Sequence, residues 1–336
     1  MPQFIPVGVT AGLATALLFA SASAGGMTGR VLLFFLAPLP SYLAGLGWGP
    51  LSAALAAVSS ALATSLFLGV RTGLVFLVSQ GIPLIALCHL ALLSRPAPAA
   101  APPPPGAPVP LEWYPAGRVV AAATLMAGAL AFVSILMLGL DLEELRAMML
   151  ELVDKVLLKQ MPNLGGGDLG EPEKNALAGL LLHALPAGSA VLWLGGFVLN
   201  LWLAGKITLL SGRLMRPWPD LTLLRYPRGL GLGLAASLAL TLLPGLPGLL
   251  ATGFAGAFLF AYLLMGLAII HHATLGLAGR PFILWGVYFS LFVFNTWAGL
   301  VIALVAILAD VVPPARCARQ RRSAAAALDL MPRQTR

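Results

Sequence analysis

The chain has 336 residues, 59% of them hydrophobic and 10% charged, with a formal net charge of +8. Ordinary soluble domains carry roughly 45–50% apolar and about 25% charged residues, so a water-soluble globule is excluded. The charges are segregated: positions 31–70, 72–94, 119–140, 175–205, 229–279 and 281–309 contain no Asp, Glu, Lys or Arg. A bilayer core takes roughly 20 apolar residues in a helix, so each run holds one or two crossings. A β-barrel would alternate in segments of roughly 10 residues, and that alternation is missing. In such a chain, excess Lys and Arg belong in cytoplasmic loops and against headgroups. Membrane lipid is therefore the expected partner, and nucleic acid is not.

The first 29 residues carry no charge. Ala22-Ser23-Ala24 resembles a signal-peptidase site, yet no basic segment precedes it and more apolar segments follow at once, so residues 7–24 read as the first span. Along it Gly8, Gly12, Ala16, Ala20 and Ala24 recur every four residues. That lays small side chains along one face where another helix can approach closely, a candidate docking face for a helix of this chain or of a second integral membrane protein. Further spans are expected near 31–48, 51–69 and 73–93. In the second, Pro38 and Pro40 interrupt the helix and Gly45, Gly47 and Gly49 follow, the composition of a broken or re-entrant segment.

Residues 94–117, with the run Pro102 to Pro105, read as a Pro-rich linker. It separates a four-span half, 1–93, from a C-terminal membrane half, 118–310, with spans near 118–140, 177–204, 229–249, 250–275 and 281–309. Within that half, residues 141–161 differ. Asp141 is an N-cap, and Leu142, Leu145, Met149, Leu152, Val153, Val156 and Leu157 recur at helical spacing against Glu144, Arg146, Glu151, Asp154 and Lys155. This predicts an amphipathic helix in the membrane interface or over the bundle. The expected fold is thus all-α, a polytopic transmembrane bundle of eight or nine spans with one interfacial helix.

The loop 205–228 holds Lys206, Arg213, Arg216, Arg225 and Arg228 against Asp220 alone, whereas 141–175 carries eight acids and four bases. The positive-inside rule puts the basic loop in the cytoplasm. The tail 311–336, with Arg316, Arg319, Arg321, Arg322, Arg333 and Arg336, also reads as cytoplasmic, a disordered basic arm near anionic lipid. Three spans between the two would put them on opposite faces. Either 281–309 turns back near Asn295, or 229–279 is not two simple spans, or the rule fails at one end.

Chemistry-bearing motifs are sparse. The phosphate-loop pattern is missing, since Gly205-Lys206 is followed by Ile207 and lacks the upstream Gly. Gly165 to Gly170 matches G-x-G-x-x-G but follows a helical pattern rather than a strand, and reads as a loop. His271 and His272 are adjacent and diverge on a helix, and Cys88 and Cys317 lie in different environments, so no metal site or disulfide is expected. There is no G-x-S-x-G elbow. Neither an enzyme nor a cofactor is expected. The polar groups at membrane depth are Gln80, His183, Asn200 and Asn295, which form a candidate polar cavity for a small molecule or bond neighbouring helices.

Several stretches in order, Leu36-Ala37-Pro38-Leu39-Pro40-Ser41-Tyr42-Leu43, Val198-Leu199-Asn200-Leu201-Trp202-Leu203-Ala204 leading to Arg216-Pro217, Met265-Gly266-Leu267-Ala268-Ile269-Ile270 and Ile307-Leu308-Ala309-Asp310, resemble the YybS-like family of bacterial membrane proteins, a domain of unknown function. That family is distantly similar to the substrate-capture components of energy-coupling-factor transporters, which dock through small residues on their first helix. The resemblance implies a transport-related subunit of the bacterial inner membrane, capturing a substrate or docking a partner, without its own ATPase. This chain departs from those components in its larger number of spans and its Pro-rich insert. The alternative is a structural or assembly factor of the cell envelope.

Overall fold

The computed structural model describes residues 3–24, 33–97, 109–158 and 170–311. The basic tail with Cys317, the run Pro102 to Pro105, the end of the expected amphipathic helix at 159–161 and all of the Gly165 to Gly170 stretch but its last residue lie outside them. The protein is an all-α, multi-pass membrane helical bundle. Its helices are α1 (Phe4–Ala24), α2 (Leu39–Trp48), α3 (Pro50–Leu68), α4 (Val70–Leu92), α5 (Ala116–Leu138), α6 (Leu142–Leu152), α7 (Glu171–Leu210), α8 (Arg228–Thr241), α9 (Leu246–Ala273), α10 (Arg280–Phe294) and α11 (Thr296–Val311). Six of these, α1, α3, α4, α5, α7 and α9, are long and apolar enough to cross a membrane, and the other apolar ones are shorter. The chain forms two compact units, Met1–Phe258 and Leu259–Arg336.

In the first unit, close approach depends on small side chains. A Cβ on Gly8 would sit 2.8 Å from the Ser52 carbonyl oxygen, and one on Gly12 would sit 2.5 Å from that of Ala56. The first half of the small-residue stripe is therefore packed against α3 of the same chain, and Ala16 is fully buried. Gly49, at φ 97°, lets the chain reverse between α2 and α3. Pro50 then opens α3 at a position where a missing N–H costs nothing. A helical turn at 33–36 precedes Ala37-Pro38, after which α2 begins.

At the ends of the linker, β1 (Ser94–Pro96) and β2 (Leu111–Trp113) pair antiparallel with Arg95 opposite Glu112. The two side chains form an ion pair at 2.8 Å. α6 begins at Asp141, whose carboxylate accepts from the Glu143 N–H at 2.9 Å. Its apolar side, Leu142, Leu145 and Met149, packs with Ile135 of α5, Leu182 of α7 and Leu249 of α9. Its polar side carries the ion pair of Glu151 with Lys155, which holds the Glu151 carboxyl below the usual carboxylate range. The helix widens into a π-helical segment at Val153–Leu158, and Lys174 at the start of α7 reaches back to Asp154 at 3.3 Å.

Three boundaries differ from the hydropathy reading. The expected span 177–204 is the middle of a 40-residue helix, because neither Pro186 nor the flanking charges stop it. The turn expected near 249 falls at 242–245, where Pro244 precedes Gly245 at φ 78°. The run 281–309 is two short helices, broken at Asn295, whose φ of 38° makes it the sole non-glycine residue of positive φ among the described residues. Asn tolerates that left-handed region better than most side chains. In the second unit a Cβ on Gly266 would lie 2.5 Å from the Ile302 carbonyl oxygen, and Tyr262 Oη donates to Asp310 Oδ2 at 2.9 Å.

Candidate functional site

Of the four polar residues singled out by sequence, the structure brings two together. Gln80 of α4 and Asn200 of α7 line one small space of about 10 Å³, walled otherwise by Phe34, Phe35, Trp193 and Phe197 among others. Asn200 is 2% exposed. Its Nδ2 donates to the carbonyl oxygens of Phe35 at 2.7 Å and Gly196 at 2.8 Å. Only an amide nitrogen can satisfy two carbonyls, so the side chain cannot be turned around, and its Oδ1 is left buried without a partner. A buried acceptor in that state costs free energy comparable to a lost hydrogen bond.

Gln80 is placed by a distortion of α4. Residues Leu77–Gly81 form a π-helical turn, with the Ile82 N–H bonded to the Leu77 carbonyl. Pro83 explains it: its ring would clash with the carbonyl of Ser79 in a regular helix, and one inserted residue relieves the clash. Gln80 also lines a closely packed spot together with Thr15, Ser41, Ser60 and Phe76 among others, in which Thr15 and Ser41 share a hydrogen bond of 2.7 Å. The Tyr42 hydroxyl and the Thr64 hydroxyl are also buried without partners. The helices of the first unit thus enclose a group of amides and hydroxyls that donate and accept hydrogen bonds and carry no charge.

His183 and Asn295 are exposed and line neither space. His183 stands 17 residues before Asn200 on α7, about 25 Å along the axis, and donates from Nδ1 to the Gly179 carbonyl at 2.9 Å. Asn295 belongs to the second unit, at the break between α10 and α11. Of the small-residue face, Gly8, Gly12 and Ala16 are spent on packing within the chain, Ala20 is half-buried, and the side chain of Ala24 is outside the described residues. Among the described residues no group of three His, Cys, Asp or Glu is close enough to hold a metal.

A feature not singled out from the sequence sits at the ends of α2, α4, α5 and α7. Four cations there lie over aromatic rings: Lys206 over Trp218 at 4.2 Å, Arg213 over Trp48 at 5.3 Å, Arg216 over Trp113 at 5.7 Å and Arg118 over Tyr114 at 5.8 Å. Rings and cations of this kind mark a membrane–water interface. Tryptophans at the ends of apolar runs, next to basic residues, are a signal the sequence did carry. Beneath this belt an apolar cleft of about 120 Å³, partly open, runs between α4, α5 and α7 under the loop after α7. Arg216 is the one charged residue lining it. Nη1 of Arg216 donates to the Ala91 carbonyl at 2.7 Å and weakly to that of Tyr114 at 3.4 Å. Partial burial lowers the Arg216 pKa, because the charge is taken from water without a counter-charge.

No known protein family, no curated protein and no solved structure matches the chain.

Proposed function

We propose that this multi-span membrane protein is a transport-related subunit of the bacterial inner membrane that captures a small polar solute at the Gln80–Asn200 centre and relies on a separate protein for energy. The observation that carries the reading is the Asn200 Oδ1, buried and unpaired in a space shared with a second amide on a π-distorted helix. An unsatisfied acceptor enclosed by apolar helices is an expensive feature, and a bound donor removes the cost. π-helical turns recur where a side chain has to be aimed into a functional space. The space as it stands admits little more than a water, so a solute of a few heavy atoms enters only as the helices part around it, and it is held by hydrogen bonds rather than by charge. The reading includes eight or nine crossings, six supplied by the long helices and the rest by the short apolar ones, with the basic loop in the cytoplasm. The resemblance to the YybS-like family, and through it to substrate-capture components, is part of the same proposal.

The test is mass spectrometry of small molecules retained by the detergent-purified protein, alongside Asn200→Leu and Gln80→Leu. A polar solute present in the wild type and lost in both variants is the expected result. Loss of the reading follows if the wild type retains no solute and co-purifies with no ATPase or coupling subunit.

A further inference from the structure

The Arg216 cleft is separate from the polar centre and needs its own account. Arg216 has five N–H donors, cannot shed its proton, and is half-buried, so its charge has to be met locally. What it finds in the protein is neutral: the carbonyls of Ala91 and Tyr114, a weak contact from Nε to the Pro217 carbonyl at 3.4 Å, and the Trp113 ring. No carboxylate pairs with it among the described residues, and no contact uses Nη2. The neighbouring cations, Lys206 and Arg213, are likewise met by rings rather than by acids. Below the guanidinium the walls are hydrocarbon, including Leu87, Val119, Ala123, Phe197 and Leu201.

We infer that this cleft is a binding site for an anionic phospholipid, with the headgroup phosphate on Arg216 and one acyl chain along the apolar walls. The phosphate supplies the counter-charge the protein withholds, and a planar guanidinium presents paired donors to its oxygens. The interfacial aromatics set the site at headgroup level, where such a lipid is already at hand. A free phosphate or a water-soluble anion would satisfy the arginine and leave the cleft empty. A zwitterionic lipid would fill the cleft and bring its own cation to three others.

The experiment uses the full chain, delipidated in detergent and titrated with phosphatidylglycerol, phosphatidylcholine or glycerol 3-phosphate, with bound species counted by native mass spectrometry. Phosphatidylglycerol is expected to bind about tenfold more tightly than phosphatidylcholine, because both present a phosphate but phosphatidylcholine also brings its choline cation beside the Arg216 guanidinium. Arg216→Gln should bring the two lipids level, while Arg71→Gln, on a cation outside the cleft, leaves the preference intact. Val120→Phe, which narrows the cleft without touching the charge, should weaken both lipids together. If Arg216→Gln does not fold, the wild type still decides: equal affinity for the two lipids overturns the site. Displacement of phosphatidylglycerol by glycerol 3-phosphate at equal concentration overturns the lipid assignment in favour of a free-phosphate site. Retained preference in folded Arg216→Gln overturns the role of that residue.

Discussion

Gly12 illustrates how much of the bundle hangs on missing atoms. With the Ala56 carbonyl 2.5 Å from where a Cβ would stand, any side chain at Gly12 pushes α1 off α3. Gly12→Val is expected to destabilise the protein by about 1–3 kcal/mol, read as a lowered unfolding midpoint in detergent. Gly179→Val is the comparison, because a Cβ there meets nothing within 4 Å. The same residues show what a sequence can and cannot reveal. A stripe of Gly and Ala at fourfold spacing announces a close helix contact, but not whose helix makes it. Gln80, His183, Asn200 and Asn295 are equally visible as polar letters in apolar text. Only the arrangement of neighbouring helices, which no hydropathy window contains, separates the two that share a space from the two that face outward.

Among the elements, α4 and α6 carry the sharpest consequences. Pro83→Ala restores a donor, removes the clash with the Ser79 carbonyl and lets Leu77–Gly81 return to regular helix. Amide exchange over 78–84 should then slow by about fivefold, the effect of one hydrogen bond of about 1 kcal/mol, and Gln80 should leave its space. Leu145, 2% exposed, anchors α6 to the bundle. Leu145→Ala removes that anchor at a cost of about 2–5 kcal/mol, so trypsin should cut faster after Arg146 and Lys155, whereas Met148→Ala on the exposed side changes nothing. Element types were legible because charge-free runs and a 3.6-residue period are strong signals. Their ends were less so. Hydropathy is blind to the backbone angle that breaks 281–309 at Asn295, and to the continuation of α7 through its charged first turn and Pro186.

For the molecule as a whole, the aromatic and basic belt around Trp48, Trp113, Trp218 and Arg216 defines one face, and the acidic start of α7 belongs to the other. In the orientation proposed above, the first faces the cytoplasm. Cysteines at Ser211 and Glu173, both exposed, test this in intact cells. Native Cys88 is fully buried and stays silent, and Cys317 is replaced by Ser. A membrane-impermeant maleimide should label Glu173→Cys from outside and reach Ser211→Cys only after lysis; the same pattern for both would contradict a crossing by α7. That helix has a mechanical meaning as well. Its 40 residues make a rod of about 60 Å, while the hydrocarbon layer is about 30 Å thick. Upright, it would outrun that layer by roughly half its length, and Asn200 lies in the half nearer Leu210, away from the charged Glu171 end. A pull or tilt applied at the Glu171 end would therefore be carried along a single helix to the wall that bears Asn200.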